Sequence, residues 1–449
     1  MPKVHVIGIG GSVMHALALH LQKEGYAVTG SDDRIEEPAR SALHAAGLLP
    51  PQEGWFPEKI TEDIAFLLVG MHARADNPEL LRAQALNLRI WDMPSYVAQV
   101  AQHKHRIVVA GSHGKTTTTA LLLYAFQRLD IPTDWLIGAR TPTLPSTFHL
   151  SDAPTFILEG DEYPTSPWNP QPKAAVYRPH WLILTGIAWD HANVYPTPQS
   201  YERTFEHILQ NLPKGGYCFY NATDPTVKTL VEKHLRPGWH YLIPYTELPH
   251  FRKGHTWFMR LGRRVVPLPF WGRHNVLNAS AVWRLLQEFY VEDKDFAEIL
   301  QSFRLPENRQ TIWYQGEEGI IVRDFAHAPS KVEATLQALR ETFPRLPLLA
   351  VLELHTYSSL QPAYAAQYRQ ALRLAKEAWI YLDEHTAQTK GTDPAALQSA
   401  LGKGYRWFSR KEPLIAALQE RMKRPPYAIA LLSSGTFSGF TPQDLRLSP

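Results

Sequence analysis

The residues of this sequence best suited to phosphate chemistry are Gly111, Ser112, His113, Gly114, Lys115, Thr116 and Thr117. Glycines let successive backbone N–H groups turn toward a phosphate, and the start of a helix adds the positive end of its dipole. Lys115 is then placed to meet the outer phosphates of a nucleotide, and Thr116 offers a hydroxyl to Mg²⁺. Two residues separate the glycines here, where the common phosphate loop has four. A threonine-capped glycine turn would share these residue types. The apolar run Ile107-Val108-Val109-Ala110 before the loop and Ala120-Leu121-Leu122-Leu123 after it favour strand, loop and helix, hence a nucleoside-triphosphate site.

Two further strand ends carry groups that could join it. Thr155-Phe156-Ile157-Leu158 delivers Glu159-Gly160-Asp161-Glu162, three carboxylates in four residues. Such crowding is unfavourable unless a cation, donors or solvent offset it. The apolar stretch from Leu182 to Ala188 delivers Trp189-Asp190-His191. If these strands flank the one before the phosphate loop, Thr116, Glu159 and His191 converge as a partial shell for Mg²⁺ or Mn²⁺. Taken singly, the two motifs read equally well as a solvated acidic loop and a capping Asp-His; beside Lys115 the metal reading is the stronger.

The N-terminal stretch holds a second glycine turn, Gly8, Gly10, Gly11 and Ser12, between an apolar strand and a helical face of Met14, Leu17 and Leu21. Glycines in a strand-to-helix turn admit a pyrophosphate, and Asp32 follows about 20 residues later, where an acid often holds a ribose. Val13 stands where a third glycine is usual. A third strand, 65–69, leads into a turn carrying His72.

Strands alternating with helices along the whole chain imply parallel sheets covered on both faces. The fold class is α/β with three domains: a Rossmann-like unit over 1–103, a central phosphate-loop unit with a mostly parallel sheet over 104–302, and a second Rossmann-like unit over 303–449. Pro-rich, aromatic-rich 163–172 reads as an ordered loop, because tryptophan and tyrosine are depleted in disorder. The last strand ends in Ser433-Ser434-Gly435-Thr436, at the edge where ligands of open sheets gather. A net charge of +3 on 449 residues gives no basis for nucleic-acid binding. The single cysteine excludes an internal disulfide and suits a reducing compartment. Without a signal-like or 18-residue apolar run, a cytoplasmic protein with no membrane insertion is expected.

In order, these motifs resemble the Mur ligases of bacterial peptidoglycan synthesis, and the resemblance extends over essentially the whole chain. To the segments above it adds Gly272-Arg273-His274-Asn275-Val276-Leu277-Asn278, Arg309, and Asp324-Phe325-Ala326-His327. The resemblance implies an ATP-dependent ligase that activates a carboxylate as an acyl phosphate for attack by an amine. It implies that Gly8, Gly10, Gly11, Ser12, Asp32 and His72 bind a UDP-sugar, and that residues 111–117 bind ATP. Asn275 and Asn278 would then contact adenine, Asp324 and His327 the ribose and phosphates, and Arg309 a phosphate. Lys115, Glu159, His191 and Arg309 would be the catalytic set, with Thr116, Glu159 and His191 on the metal.

Within the family, Leu158 to Tyr163, the Pro-rich insertion before Tyr177-Arg178-Pro179, and the lack of arginine after His355 are similar to the branch joining UDP-N-acetylmuramate to recycled L-alanyl-γ-D-glutamyl-meso-diaminopimelate. The alternatives are ligation of free L-alanine, a folate-type polyglutamylating ligase, and a non-catalytic UDP-sugar and ATP sensor. Asn308 and Ala328 depart from the family pattern. Lys331 and Arg340 are candidates for the peptide's carboxylates, and a monomer or weak homodimer is expected.

Overall fold

The computed structural model describes residues 1–71 and 73–447. The chain forms two compact units, one of Met1–Gly111, Thr118–Gly186 and Arg203–Tyr245, the other of Ser112–Thr117, Ile187–Glu202 and the chain from Thr246 onward.

The first unit holds two main sheets. β1 (Lys3–Ile7), β2 (Ala27–Ser31), β3 (Ile64–Val69) and β4 (Ile90–Asp92) pair in parallel in the order β2-β1-β3-β4. Val4, Val6 and Ile7 are fully buried, as the inner strand of a sheet covered on both faces requires. The second sheet contains β5 (His105–Ala110), β6 (Thr133–Leu136), β7 (Phe148–His149), β8 (Thr155–Gly160), and later β11 (Trp181–Leu184), β12 (Tyr217–Asn221) and β13 (Tyr241–Tyr245). Its order is β13-β12-β11-β5-β8-β6-β7, and only the β6–β7 pair is antiparallel.

Register fixes the functional edge of this sheet. Ala110, the last residue of β5, pairs with Gly160 on one side and Leu184 on the other. Gly111, Asp161 and Thr185 therefore leave the sheet side by side. Gly111 has φ +136°, and a Cβ there would lie closer than 3.0 Å to the Thr185 hydroxyl, so both conformation and space demand glycine.

The Pro-rich segment is more regular than expected. β9 (Pro164–Ser166) and β10 (Asn169–Pro172) form an antiparallel hairpin, closed by the Thr165 hydroxyl donating to the carbonyls of Asn169 (3.1 Å) and Gln171 (2.9 Å). Proline is tolerated there because this ribbon has free edges.

The second unit contains a six-stranded sheet and a small antiparallel one. β14 (His250–Lys253), β15 (Thr256–Leu261) and β16 (Arg264–Pro267) form the small sheet. Sequence reading missed it, because apolar residues such as Phe251 and Val265 stand at outward positions beside cations and blur the alternation; the turns at Gly254 and Gly262, both at positive φ, were the available signal. β17 (Thr311–Gln315), β18 (Gly319–Asp324), β19 (Leu348–Glu353), β20 (Glu377–Tyr381), β21 (Arg406–Phe408) and β22 (Tyr427–Leu432) build the larger sheet in the order β17-β18-β22-β19-β20-β21. All its pairs are parallel except β17–β18. Ile320 and Val322 enter one core with Leu336, Leu352 and Leu432, while Ile321 enters the opposite core with Leu431, as strand alternation dictates. The helix Pro329–Thr342 covers the first face and is tied to β15 by Trp257 Nε1 donating to Thr342 Oγ1 at 2.9 Å.

Candidate active site

The phosphate loop leaves β5 and enters the helix Lys115–Arg128 directly, so Lys115 begins the helix and its N-terminal amides face the loop. Ser112 Oγ lies 2.6 Å from His113 Nδ1 and accepts the N–H of Ala188 at 2.9 Å, which fixes the loop to the segment that follows β11. Gly114 has φ +84°, and a Cβ there would come closer than 3.0 Å to Asn278 Oδ1. Asn278 is thus packed against the phosphate loop itself. Its amide donates to Asn275 Oδ1 at 3.3 Å, and Asn275 donates to the carbonyl of Trp271 at 3.1 Å. Both asparagines are buried on the helix Arg273–Leu286.

Arg309 donates to Thr116 Oγ1 at 3.3 Å and stacks over Phe325 with its guanidinium 4.5 Å from the ring centre. A cation is therefore held at the first turn of the phosphate-loop helix. The strained pair Asn308 and Gln310, both at positive φ, brackets it, and Phe325 N–H donates to Asn308 O at 2.7 Å. Asp324 is buried and accepts the Thr335 hydroxyl at 2.7 Å.

Asp190 is a heavily engaged carboxylate of the second unit. Oδ1 accepts the N–H of His191 at 2.7 Å and the Tyr364 hydroxyl at 3.1 Å, and Oδ2 accepts Lys331 Nζ at 2.9 Å. Burial would push its pKa up, but Lys331, His191 and His327 outweigh that and hold it well below the carboxylate range. His327 is driven down to about 3 by burial and by Lys331, so its approach to Asp190 at 3.9 Å is not an ion pair at neutral pH. His191 itself is at φ +57°, an unusual conformation for a side-chain-bearing residue. Lys331, one of the two candidates for the peptide's carboxylates, donates here to Asp190.

In the first unit, Glu159 accepts the N–H of Gly138 at 2.8 Å, Asp161 pairs with Lys173 at 3.2 Å, and Glu162 is fully buried. The N-terminal glycine turn is organised around Asp32, whose Oδ2 accepts the N–H of Gly10 at 2.8 Å. Burial, with Asp33 adding to it, raises the Asp32 pKa to about 6. Ser12 O accepts the Thr147 hydroxyl at 2.7 Å, joining this turn to the segment before β7. Gly8 takes φ +81°, while Gly11 caps back onto the Gly8 carbonyl at 3.2 Å. His72 lies outside the described residues.

At the C-terminal edge of the six-stranded sheet, beside the Ser433–Thr436 turn expected there, Glu353 and Arg323 are groups that sequence reading missed. Glu353 accepts Ser433 Oγ and, at 3.0 Å, the N–H of Phe437; burial raises its pKa. Arg323 donates to Gly435 O and lies over the Phe437 ring. Arg323 Nη1 and His355 Nδ1 are buried without a hydrogen-bond partner among the described residues. Their common signal is position: each lies within two residues of the C-terminal end of a strand of an open, mostly parallel sheet.

Residues 3–105 match the Mur ligase family catalytic domain and residues 109–286 the Mur ligase middle domain. A UDP-N-acetylmuramate–L-alanine ligase of Pediococcus pentosaceus is 30% identical over 381 residues, which cover 79% of this chain and 78% of the relative. The chain belongs to the Mur ligase family. This Mur ligase is an ATP-dependent carbon–nitrogen ligase of peptidoglycan synthesis. It is also similar, at 24% identity over 98% of the chain and 97% of the relative, to a UDP-N-acetylmuramate–L-alanyl-γ-D-glutamyl-meso-2,6-diaminoheptandioate ligase of Haemophilus influenzae. A solved murein peptide ligase from Psychrobacter arcticus shares the fold, with a TM-score of 0.73 at 22% identity over 99% of this chain and 98% of that one.

Proposed function

We propose that this Mur ligase joins the lactyl carboxylate of UDP-N-acetylmuramate to the L-alanine amine of recycled L-alanyl-γ-D-glutamyl-meso-diaminopimelate, in the cytoplasm. The observation that carries the reading is the β9–β10 hairpin, built into the chain directly after Glu159–Glu162 at the functional edge of the second sheet. In the resemblance it marks the peptide-accepting branch, and a bulkier acceptor needs a differently walled entrance than a single amino acid does. The stretch Thr356-Tyr357-Ser358-Ser359 agrees, since it lacks the arginines that alanine-adding members carry there.

The chain's own groups divide the work. Lys115 and the loop amides stabilise charge on the transferring γ-phosphate, with Arg309 as a further cation at Thr116. Once the carboxylate oxygen has taken the γ-phosphoryl group, attack by the amine forms the amide and expels phosphate. Gly8, Gly10, Gly11, Ser12, Asp32 and His72 hold the UDP-sugar. Asn275, Asn278, Asp324 and His327 hold the nucleoside and phosphates of ATP. Hydroxyl, carboxylate and imidazole donors suit Mg²⁺ or Mn²⁺, so Thr116, Glu159 and His191 are the residues that would hold such an ion, which when bound neutralises phosphate charge. The polar strand ends around Arg323, Glu353 and His355 are where the peptide would dock.

A second reading, ligation of free L-alanine, is favoured by the alanine-ligase relatives. Phosphate release with UDP-N-acetylmuramate and ATP, measured with tripeptide and with L-alanine as sole acceptor, decides between them. Turnover with tripeptide at much the higher kcat/KM is expected; turnover with alanine alone would overturn the proposal.

A further inference from the structure

Lys331 is a cation with no task in the chemistry above, yet it is largely enclosed and held at one place. It lies in the first turn of the helix Pro329–Thr342, with a side-chain exposure of 16%, against an Asp190 side chain exposed by 4%. The two are 141 residues apart in sequence. Asp190 immediately precedes His191, whose N–H it accepts while His191 sits at positive φ. A residue other than glycine stays in that conformation only when its surroundings over-determine it.

The surroundings do so from one side. Ala192 is buried in the same core as Val332 and Leu336. Asn193 Oδ1 accepts Ser358 Oγ at 3.1 Å, Tyr364 donates to Asp190, and Trp189 Nε1 donates back to Tyr195 O at 2.8 Å. Of these ties, the Lys331–Asp190 bond is the one joining two opposite, largely buried charges, and charge-assisted bonds are the stronger kind. Removing the lysine leaves Asp190 with a hydroxyl and a backbone N–H as its only strong donors among those described, so the carboxylate is pulled toward water and His191 moves with it.

We propose that Lys331 is a positioning residue for the Mur ligase reaction: through Asp190 it locks the 189–193 loop onto the helix Pro329–Thr342 and so sets the His191 imidazole. The inference rests on the proposed role of His191 in holding the divalent ion. Lys331 itself is assigned no contact with the nucleotide or the acceptor. It acts at one remove, on the orientation of a ligand, in the manner of outer-shell groups whose loss costs on the order of 10–100-fold in metal affinity.

The test is Mn²⁺ binding, followed by electron paramagnetic resonance on full-length protein with a non-hydrolysable ATP analogue and no acceptor. Lys331→Met is expected to weaken Mn²⁺ binding about 10-fold or more and to lower kcat while leaving KM for the UDP-sugar unchanged; Lys331→Arg restores both substantially. Because Lys331→Met strands a buried carboxylate and can destabilise the fold, Asp190→Asn combined with Lys331→Met is measured beside it. If Lys331 merely neutralises Asp190, the double variant regains both thermal stability and Mn²⁺ affinity, and the proposal is overturned. If Lys331 positions the loop, stability recovers and Mn²⁺ affinity does not. Wild-type Mn²⁺ affinity in Lys331→Met also overturns it. The acceptor assay on the unmodified enzyme reports separately on the proposed ligation, and a wild-type protein that shows no nucleotide-dependent Mn²⁺ binding would sink the assigned ion site rather than the lysine's role alone.

Discussion

Gly114→Ala puts the phosphate loop under a load whose size can be worked out. The residue is at φ +84°, where an L-side chain costs about 1–2 kcal/mol. Its Cβ would also fall within hard contact of Asn278 Oδ1. Asn278 can yield only by moving its amide away from Asn275, giving up a bond of 3.3 Å whose net worth is about 0.5–1.5 kcal/mol. The total is roughly 1.5–3.5 kcal/mol. It appears in one of two places: if the loop keeps its shape the loss falls on folding stability, and if the loop relaxes it falls on ATP affinity. The sum is the prediction, equivalent to about 10–300-fold in nucleotide Kd if it falls wholly there. Calorimetric Kd for a non-hydrolysable ATP analogue and the thermal midpoint of the free protein read the two parts. Gly25→Ala is the control, since Gly25 has φ +86° and a Cβ added there would meet nothing within 4 Å. It carries the conformational penalty and the loss of unfolded-state entropy, without the clash. A Gly114→Ala protein that matches Gly25→Ala in stability and binds nucleotide as the wild type does would refute the packing of Asn278 on the loop.

Lys115→Ala should abolish ligation while leaving UDP-sugar binding intact by calorimetry; retained ligation would remove the central assignment. Asp32 has a pKa raised to about 6, so the folded state binds its proton more tightly than the unfolded chain does, and the carboxylate destabilises the fold progressively as pH rises from about 4 to about 6. Asp32→Asn, which keeps an acceptor for Gly10 N–H, should therefore raise the thermal midpoint at pH 7.5 and leave it unchanged near pH 4; an equal effect at both would contradict the assignment. Ser433→Ala takes a donor from the buried Glu353 and should cost about 1–3 kcal/mol of stability. Because the burial-raised Glu353 accepts that bond best when ionised, the deficit should widen in thermal melts as pH rises above the ordinary carboxylate range.

Features written in local spacing were legible before the structure. The strand, glycine loop and helix around Lys115 follow from one apolar run, two glycines and a second apolar run, and β5 and its helix lie where those runs fall. The neighbouring ends of β5, β8 and β11 meet the condition set for the two carboxylate- and histidine-bearing strand ends, whereas the spacing that put Asp32 near the glycine turn as a ribose contact did not announce its bond to Gly10. What could not be read was pairing across distance. Nothing near Lys331 in sequence announces Asp190, and a lysine in the first turn of a helix reads as a solvated cation or a substrate contact. Asn275 and Asn278 lie three apart on one helix, but their spacing does not announce that Asn278 packs against Gly114 of the phosphate loop and bonds to Asn275. The β9–β10 hairpin escaped because proline, which argues against a strand in a sheet interior, is permitted in a two-stranded ribbon.

The absence of a third glycine in the N-terminal turn follows from the same geometry. Val13 has φ −93° and ψ −35°, ordinary right-handed backbone that a valine adopts without strain. Gly8, in contrast, is at φ +81°, and a Cβ on Gly10 would meet Asp32 Oδ2 at 3.0 Å and Arg34 O at 3.2 Å. Those are the positions that bring the backbone N–H of Gly10 onto the Asp32 carboxylate. Glycine persists in this turn where the chain reverses or where another group presses against it, and gives way where neither holds. The phosphate loop obeys the same rule: Gly111 and Gly114 are both at positive φ and both crowded, by Thr185 and by Asn278. The two residues between them, Ser112 and His113, need no such freedom and instead supply the side chains that lock the loop to Ala188. A loop two residues shorter than the common form thus still presents a turn of two obligatory glycines ahead of Lys115, and this local requirement explains its spacing without invoking any loss of phosphate-binding capacity.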